Sequence, residues 1–158
     1  MKPDGRELSP EAELRSFVSR CDPKEQKVFR SVRTAVRKRF PTVNELAYDY
    51  PDSVVIGYSP TDRGIEAIVA IAARADGVFL YLSHGPQLPD PKKLLQGSGK
   101  QTRFIRVDAA GRLGHPDVEA LIVAAIDHAT VPLPTQGKGK LIIQSSASKR
   151  RPRRKSTK

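Results

Sequence analysis

Residues 65–82 read Ile65-Glu66-Ala67-Ile68-Val69-Ala70-Ile71-Ala72-Ala73-Arg74-Ala75-Asp76-Gly77-Val78-Phe79-Leu80-Tyr81-Leu82. From Ile65 to Arg74 both alternations are apolar: Ile65, Ala67, Val69, Ile71 and Ala73 on one, Ile68, Ala70 and Ala72 on the other. Alanine favours helix, so the run alone fits either state. The following Asp76-Gly77 decides it, because that dipeptide is a strong two-residue hairpin signal. Val78 to Leu82 then reads as the partner strand. The stretch is a central antiparallel pair, with alanines that let a helix approach closely.

Upstream, Leu46, Tyr48 and Tyr50 alternate with Ala47 and Asp49, the pattern of a half-buried strand. Ser53 to Ser59 is a second strand, β-branched at Val54, Val55 and Ile56, and Pro60-Thr61-Asp62-Arg63-Gly64 is a turn. Short connections imply antiparallel neighbours, so four strands form a meander. Ahead of them, Ser9-Pro10-Glu11 opens a short helix, with serine as N-cap and proline at the first helical position. Asp22-Pro23-Lys24-Glu25 opens a second, with Glu25 placed to reach back to the Asp22 amide. It should end near Arg39, because Pro41 disfavours helical geometry at Phe40. Val28, Phe29, Val32, Ala35, Val36 and Phe40 share its apolar arc, and Arg30, Arg33, Arg37, Lys38 and Arg39 lie on the basic one.

Downstream, Asp90-Pro91 is expected to cap one or two helical turns ending at Gly97. Arg103 to Val107 is a fifth strand at an edge, and Pro116 opens the last long helix with the stripe Val118, Leu121, Ile122, Ala125 and Ile126. The expected fold is an α+β two-layer sandwich. Its mainly antiparallel five-stranded sheet carries N-terminal and C-terminal helices packed on one face. Residues 1–8 read as a disordered N-terminus, 9–130 as the α+β domain, and 131–158 as a Pro/Gly linker and disordered basic tail. Leu141-Ile142-Ile143 interrupts that polar stretch, either as an edge strand or as a short partner-binding segment.

Asn44-Glu45-Leu46-Ala47-Tyr48-Asp49-Tyr50, following the first helices, and Gly97-Ser98-Gly99-Lys100-Gln101-Thr102-Arg103-Phe104 resemble the YdhG-like domain family of unknown function. Lys100, Arg103 and Phe104 fit a family pattern in which a Lys-Gly pair precedes an Arg-Phe strand start, and Gln101 stands where glycine is common. The resemblance spans residues 9–130. It implies a small cytosolic domain with no agreed activity, some members being described as frataxin-like iron chaperones.

The chain holds 28 Lys and Arg against 17 Asp and Glu. Residues 137–158 carry nine of those bases and no acid, which leaves 19 bases against 17 acids in residues 1–136. The densest run contains Lys149, Arg150, Arg151, Arg153, Arg154 and Lys155. Such a segment cannot bury a core. It attracts nucleic acid or another polyanion through counterion release, without reading sequence. It has no acyl or aromatic anchor, which argues against a membrane surface. The basic arc of the second helix is a further acidic-partner surface or simply a solvated face. Tyr48, Tyr50, Tyr58 and Tyr81 form a stacking platform if they share an exposed sheet face.

Motifs for catalysis are incomplete. Gly97 to Lys100 lacks P-loop spacing and has Gln101 in place of serine or threonine. A weaker anion site remains, with the Gly97 and Gly99 amides beside Lys100 and Arg103. His84, His115 and His128 show no metal-ligand spacing, and no G-x-S-x-G is present. Hard cations need clustered carboxylates, and Asp49, Asp52, Asp62 and Glu66 are the loose acidic set an iron site would use. The single Cys21 excludes an internal disulfide and reads as a small apolar residue. No run approaches the roughly 18 apolar residues of a membrane span, and the first residues lack a secretory pattern. The sequence therefore points to a cytoplasmic, non-enzymatic binding domain without a cofactor. An iron-binding module and a small-anion or metabolite domain stand as alternatives.

Overall fold

A computed structural model of the chain describes residues 9–145. Residues 1–8 and 146–158, which include the proposed polyanion-binding set from Lys149 to Lys155, lie outside the described residues. The helices are α1 (Pro10–Val18), α2 (Pro23–Arg39) and α3 (Pro116–Asp127). The strands are β1 (Asn44–Tyr50), β2 (Ser53–Ser59), β3 (Val69–Arg74), β4 (Gly77–Ser83), β5 (Thr102–Arg106) and β6 (Leu141–Ser145). No helix among the described residues is long and apolar enough to cross a membrane.

Local chemistry explains the helix starts. The Ser9 hydroxyl accepts the Ala12 amide at 3.2 Å, and His115 Nδ1 accepts the Asp117 amide at 3.2 Å. Both satisfy donors that a helix leaves without partners in its first turn. The capping box expected at Asp22 does not form, since that residue makes no side-chain cap bond. Gln26 instead ties the α1–α2 turn by donating to the Cys21 carbonyl at 2.8 Å.

The β1–β4 meander forms with short antiparallel connections. In the decisive hairpin Arg74 pairs with Gly77, so the two loop residues are Ala75 and Asp76, and Gly77 follows at φ 137°. β3 begins later than expected, because Gly64–Glu66 turns as a 3₁₀ helix and leaves Ile65 84% exposed.

Four expectations need correction. The sheet has six strands in the order β5-β4-β3-β2-β1-β6, and it is mixed because β6 runs parallel to β1. Residues 131–145, expected as linker and tail, return to the sheet, and of the two readings of Leu141-Ile142-Ile143 the edge strand is the one that forms: Thr42 donates to the Pro134 carbonyl at 2.8 Å and the Gly139 amide to the Pro41 carbonyl at 3.0 Å. A side chain at Gly139 would overlap the Val43 carbonyl, so this approach needs glycine. The short helix expected before Gly97 is also absent. The Asp90 carboxylate accepts the Leu94 and Leu95 amides, both at 2.8 Å, and Lys93 takes a left-handed φ of 57°. Those bonds make a turn rather than a helical repeat. Finally, the arrangement of the helices expected together on one face differs in its detail. α2 lies against β3 and β4, α3 against β4, and α1 beside β6.

Strand alternation divides the sheet's side chains. Ala47, Val54, Ile56, Val69, Ile71 and Leu80 join Phe29, Val32 and Val36 of α2 and Leu121 and Ile122 of α3 in one core. Each large aliphatic buried there contributes about 2 kcal/mol. The opposite alternation carries Tyr48, Tyr50, Val55, Ala70, Tyr81 and Phe104, and there Tyr50 stays 38% exposed.

Candidate nucleic-acid interface

On that second face β1 presents Tyr48 and Tyr50, two positions apart. Their rings stack at 5.7 Å with 3° between planes. Burial pushes the Tyr48 hydroxyl up, and the Tyr50 hydroxyl adds to the rise. Across the sheet, Phe104 of β5 meets Phe79 edge-on at 5.5 Å and Tyr81 at 5.2 Å. Arg74 lies 4.0 Å over the Phe79 ring and donates to the Tyr81 hydroxyl at 2.7 Å. The Asp76 carboxylate holds the same guanidinium at 2.7 and 3.0 Å.

Between the two aromatic groups the floor is low. Gly57 pairs with Ala70, and Val55 with Ala72. β1 and β4 are three strand spacings apart, about 14 Å. The result is a groove of about 480 Å³ with Tyr48 and Tyr50 on one side, Tyr81 on the other and Ile65 at its end. Flat rings above small side chains suit a planar, apolar-faced group such as a nucleobase.

The sequence-predicted anion loop borders this face. Gln96 and Phe104 exchange backbone bonds at 2.7 and 3.1 Å, so residues 97–103 close as a loop onto β5. Gly97, at φ 98°, leaves the space that the Phe104 ring fills. Arg103 Nε donates to the Gly99 carbonyl at 2.9 Å, while Lys100 is exposed. Gly97, Gly99 and Lys100 share the loop, whereas Arg103 lies in β5 opposite Leu82, on the alternation of the helical face, with its Nε turned back to the Gly99 carbonyl.

The other predicted sets fare differently. Tyr58 pairs with Glu45, which places it on the core face, and its hydroxyl donates to Glu45 Oε2 at 2.7 Å. Burial pushes that hydroxyl well above the ordinary phenol range, and the Glu45 carboxylate adds to the rise. The basic arc of α2 is largely occupied. Arg33 donates to Glu45 at 2.9 and 2.8 Å and to Glu11 at 3.1 and 2.9 Å. Burial opposes the charge on Arg33, but the hydrogen bonds to Glu45 and Glu11 outweigh it and hold the guanidinium protonated. Arg39 pairs with Glu119 and Arg30 bonds Gln26.

The acidic set is split along the β1–β2 hairpin. Asp49 and Asp52 stand at its turn, Asp62 and Glu66 beyond the far end of β2. Asp49 pairs with Arg20, and Glu66 accepts from Thr61. No group of three or more His, Cys, Asp or Glu suited to a metal ion occurs among the described residues. His84 and His128 do meet, with ring centroids 5.8 Å apart, although nothing in their spacing signals it. Cys21 is half-buried, and burial pushes its thiol up.

No family model, curated protein or solved structure matches this chain. The likeness to the YdhG-like domains rests on the residues quoted for it.

Sequence reasoning missed Phe79, Phe104 and Arg74 as members of the aromatic face. The signal was available in the alternation of β4 and β5. It needed the strand register, which places Tyr81 opposite Phe104 and Tyr48 opposite Val55.

Proposed function

We propose that the chain is a non-enzymatic module that binds single-stranded nucleic acid. Bases stack on Tyr48, Tyr50, Tyr81 and Phe104, while Lys100 and the run from Lys149 to Lys155 take the phosphates. One observation carries this reading: Tyr48 and Tyr50 on one side and Tyr81 on the other line the same accessible groove, beside the loop that carries the exposed Lys100. Rings offer every base a stacking surface, so recognition is sequence-tolerant. Bases already paired and stacked in a duplex cannot reach that surface, which favours single strands.

Fluorescence anisotropy with a labelled oligothymidylate and a duplex of equal length tests it. The full chain should prefer the single strand. Tyr50→Ala removes an exposed ring and should weaken that binding by about 5- to 100-fold, the worth of one stacked base. Unchanged affinity in Tyr50→Ala, with the fold intact by circular dichroism, rejects the proposal.

A further inference from the structure

A second opening lies in the helical layer, on the side of the sheet away from the aromatic groove. Its floor is Val69 of β3 and Leu80 of β4. Val36 and Phe40 form one wall, Ile122 of α3 the other, and Leu113 of the 3₁₀ turn Ala110–Gly114 closes the end. Each of these six side chains is 9% exposed or less. The cavity measures about 340 Å³. An apolar cavity of about 150 Å³ already admits benzene, so this one takes a larger guest.

Two charged side chains line it among the described residues, Arg39 and Glu119. Arg39 Nη2 meets Glu119 Oε2 at 2.8 Å and Nε meets Oε1 at 3.4 Å. With side chains 37% and 41% exposed, the pair stands at the mouth. Such an exposed pair adds little stability, so its exchange is cheap. Each partner also has a second source of support. Arg39 is the last residue of α2, where helix carbonyls favour a cation, and its guanidinium lies 5.6 Å over the Phe40 ring. Glu119 sits in the first turn of α3, where the amides favour an anion.

We propose that this cavity binds a small monocarboxylate with an aliphatic body, its carboxylate replacing Glu119 on Arg39. The guanidinium fork matches a carboxylate in two-point geometry. The walls take the chain, and each methylene buried strengthens binding about fourfold. An amine would have to displace Arg39 from Glu119 through a single point of contact in place of the two-point fork, and an alcohol would offer no anion. The site is independent of the aromatic face.

Octanoate, 1-octanol and octylamine are the probes, titrated into the full chain by calorimetry at about 0.3 M salt, where screening weakens attraction to exposed cations. Octanoate should bind more tightly than 1-octanol, with octylamine weakest and hexanoate weaker than octanoate by about fourfold per methylene. Glu119→Gln removes the internal competitor and should tighten octanoate by about two- to fivefold, the worth of an exposed pair, and Arg39→Gln should reduce octanoate to the level of 1-octanol. Ile122→Trp fills the cavity and should abolish binding. Leu113→Phe, at the rim, repeats that test where the core variant fails to fold. Three results overturn the proposal: no octanoate heat in either the unaltered chain or Glu119→Gln, no gain on Glu119→Gln, or binding that survives both filling substitutions. The last would assign octanoate to surface cations.

Discussion

A carboxylate as far from water as that of Glu45, at 3% exposure, is expensive to bury, by several kcal/mol. The Arg33 fork, the Tyr58 hydroxyl and Arg37 at 3.5 Å offset that cost. Removing one member therefore does more harm than the pair does good, because the rest is left charged and half-buried. Glu45→Ala should cost about 3–5 kcal/mol, and Tyr58→Phe about 1.5–3 kcal/mol. Urea midpoints measure both, and a loss under about 1 kcal/mol for Glu45→Ala would show the network to be incidental. Glu11 at its outer end sets a pH dependence. The Arg33 hydrogen bond leads the causes that hold its carboxyl below the usual carboxylate range. A depressed folded pKa gives stability that is present above the unfolded value and lost as pH falls through the folded one. Glu11 is 48% exposed, so the effect is small, and Glu11→Gln should flatten the urea-midpoint curve below about pH 4.5. None of this network was legible in the sequence. A helical wheel put Arg33 on the solvent arc, but it gives directions and not reach. The long side chain lays its stem over the surface and brings its head to β1.

β6 shows what an element-scale reading can and cannot extract. The meander was readable because its signals are local: alternation, β-branching and turn residues close in sequence. The β1–β6 pairing joins Glu45 to Leu141 and Leu46 to Ile142, and three apolar residues in a polar stretch cannot announce a partner so distant. The same limit applies between β4 and β5, where proline and glycine were read as helix punctuation and the Asp90 side chain made a turn instead. β6 also has a protective role, because without it the backbone donors and acceptors of β1 form an open edge. A chain ended after Ser145 should melt within about 2 °C of the full chain, whereas one ended after Lys140 should melt about 5 °C or more lower and aggregate on heating. Equal melting of the two shortened chains by calorimetry would make β6 an ornament of the edge.

At the scale of the whole molecule, charge is the property sequence reports without any fold. Residues 146–158 contain seven Lys and Arg and no acid, leaving 21 bases against 17 acids in residues 1–145. Among the described residues several of those bases are already committed, Arg33 to Glu11 and Glu45, Arg39 to Glu119 and Arg74 to Asp76. On the proposed reading the aromatic groove supplies stacking with little long-range attraction, and the C-terminal run supplies the attraction. Salt separates the two contributions, since screening and counterion release act on phosphate contacts and leave stacking almost untouched. If about six tail charges and Lys100 meet phosphates, the full chain should show a log–log salt slope of about −5 on a single strand and about −6 on a duplex. The chain ended after Ser145 should fall to about −1 on either, from Lys100, while keeping its preference for the single strand. Equal slopes for the two chains would remove the tail from binding. Loss of the single-strand preference in the shorter chain would remove the groove.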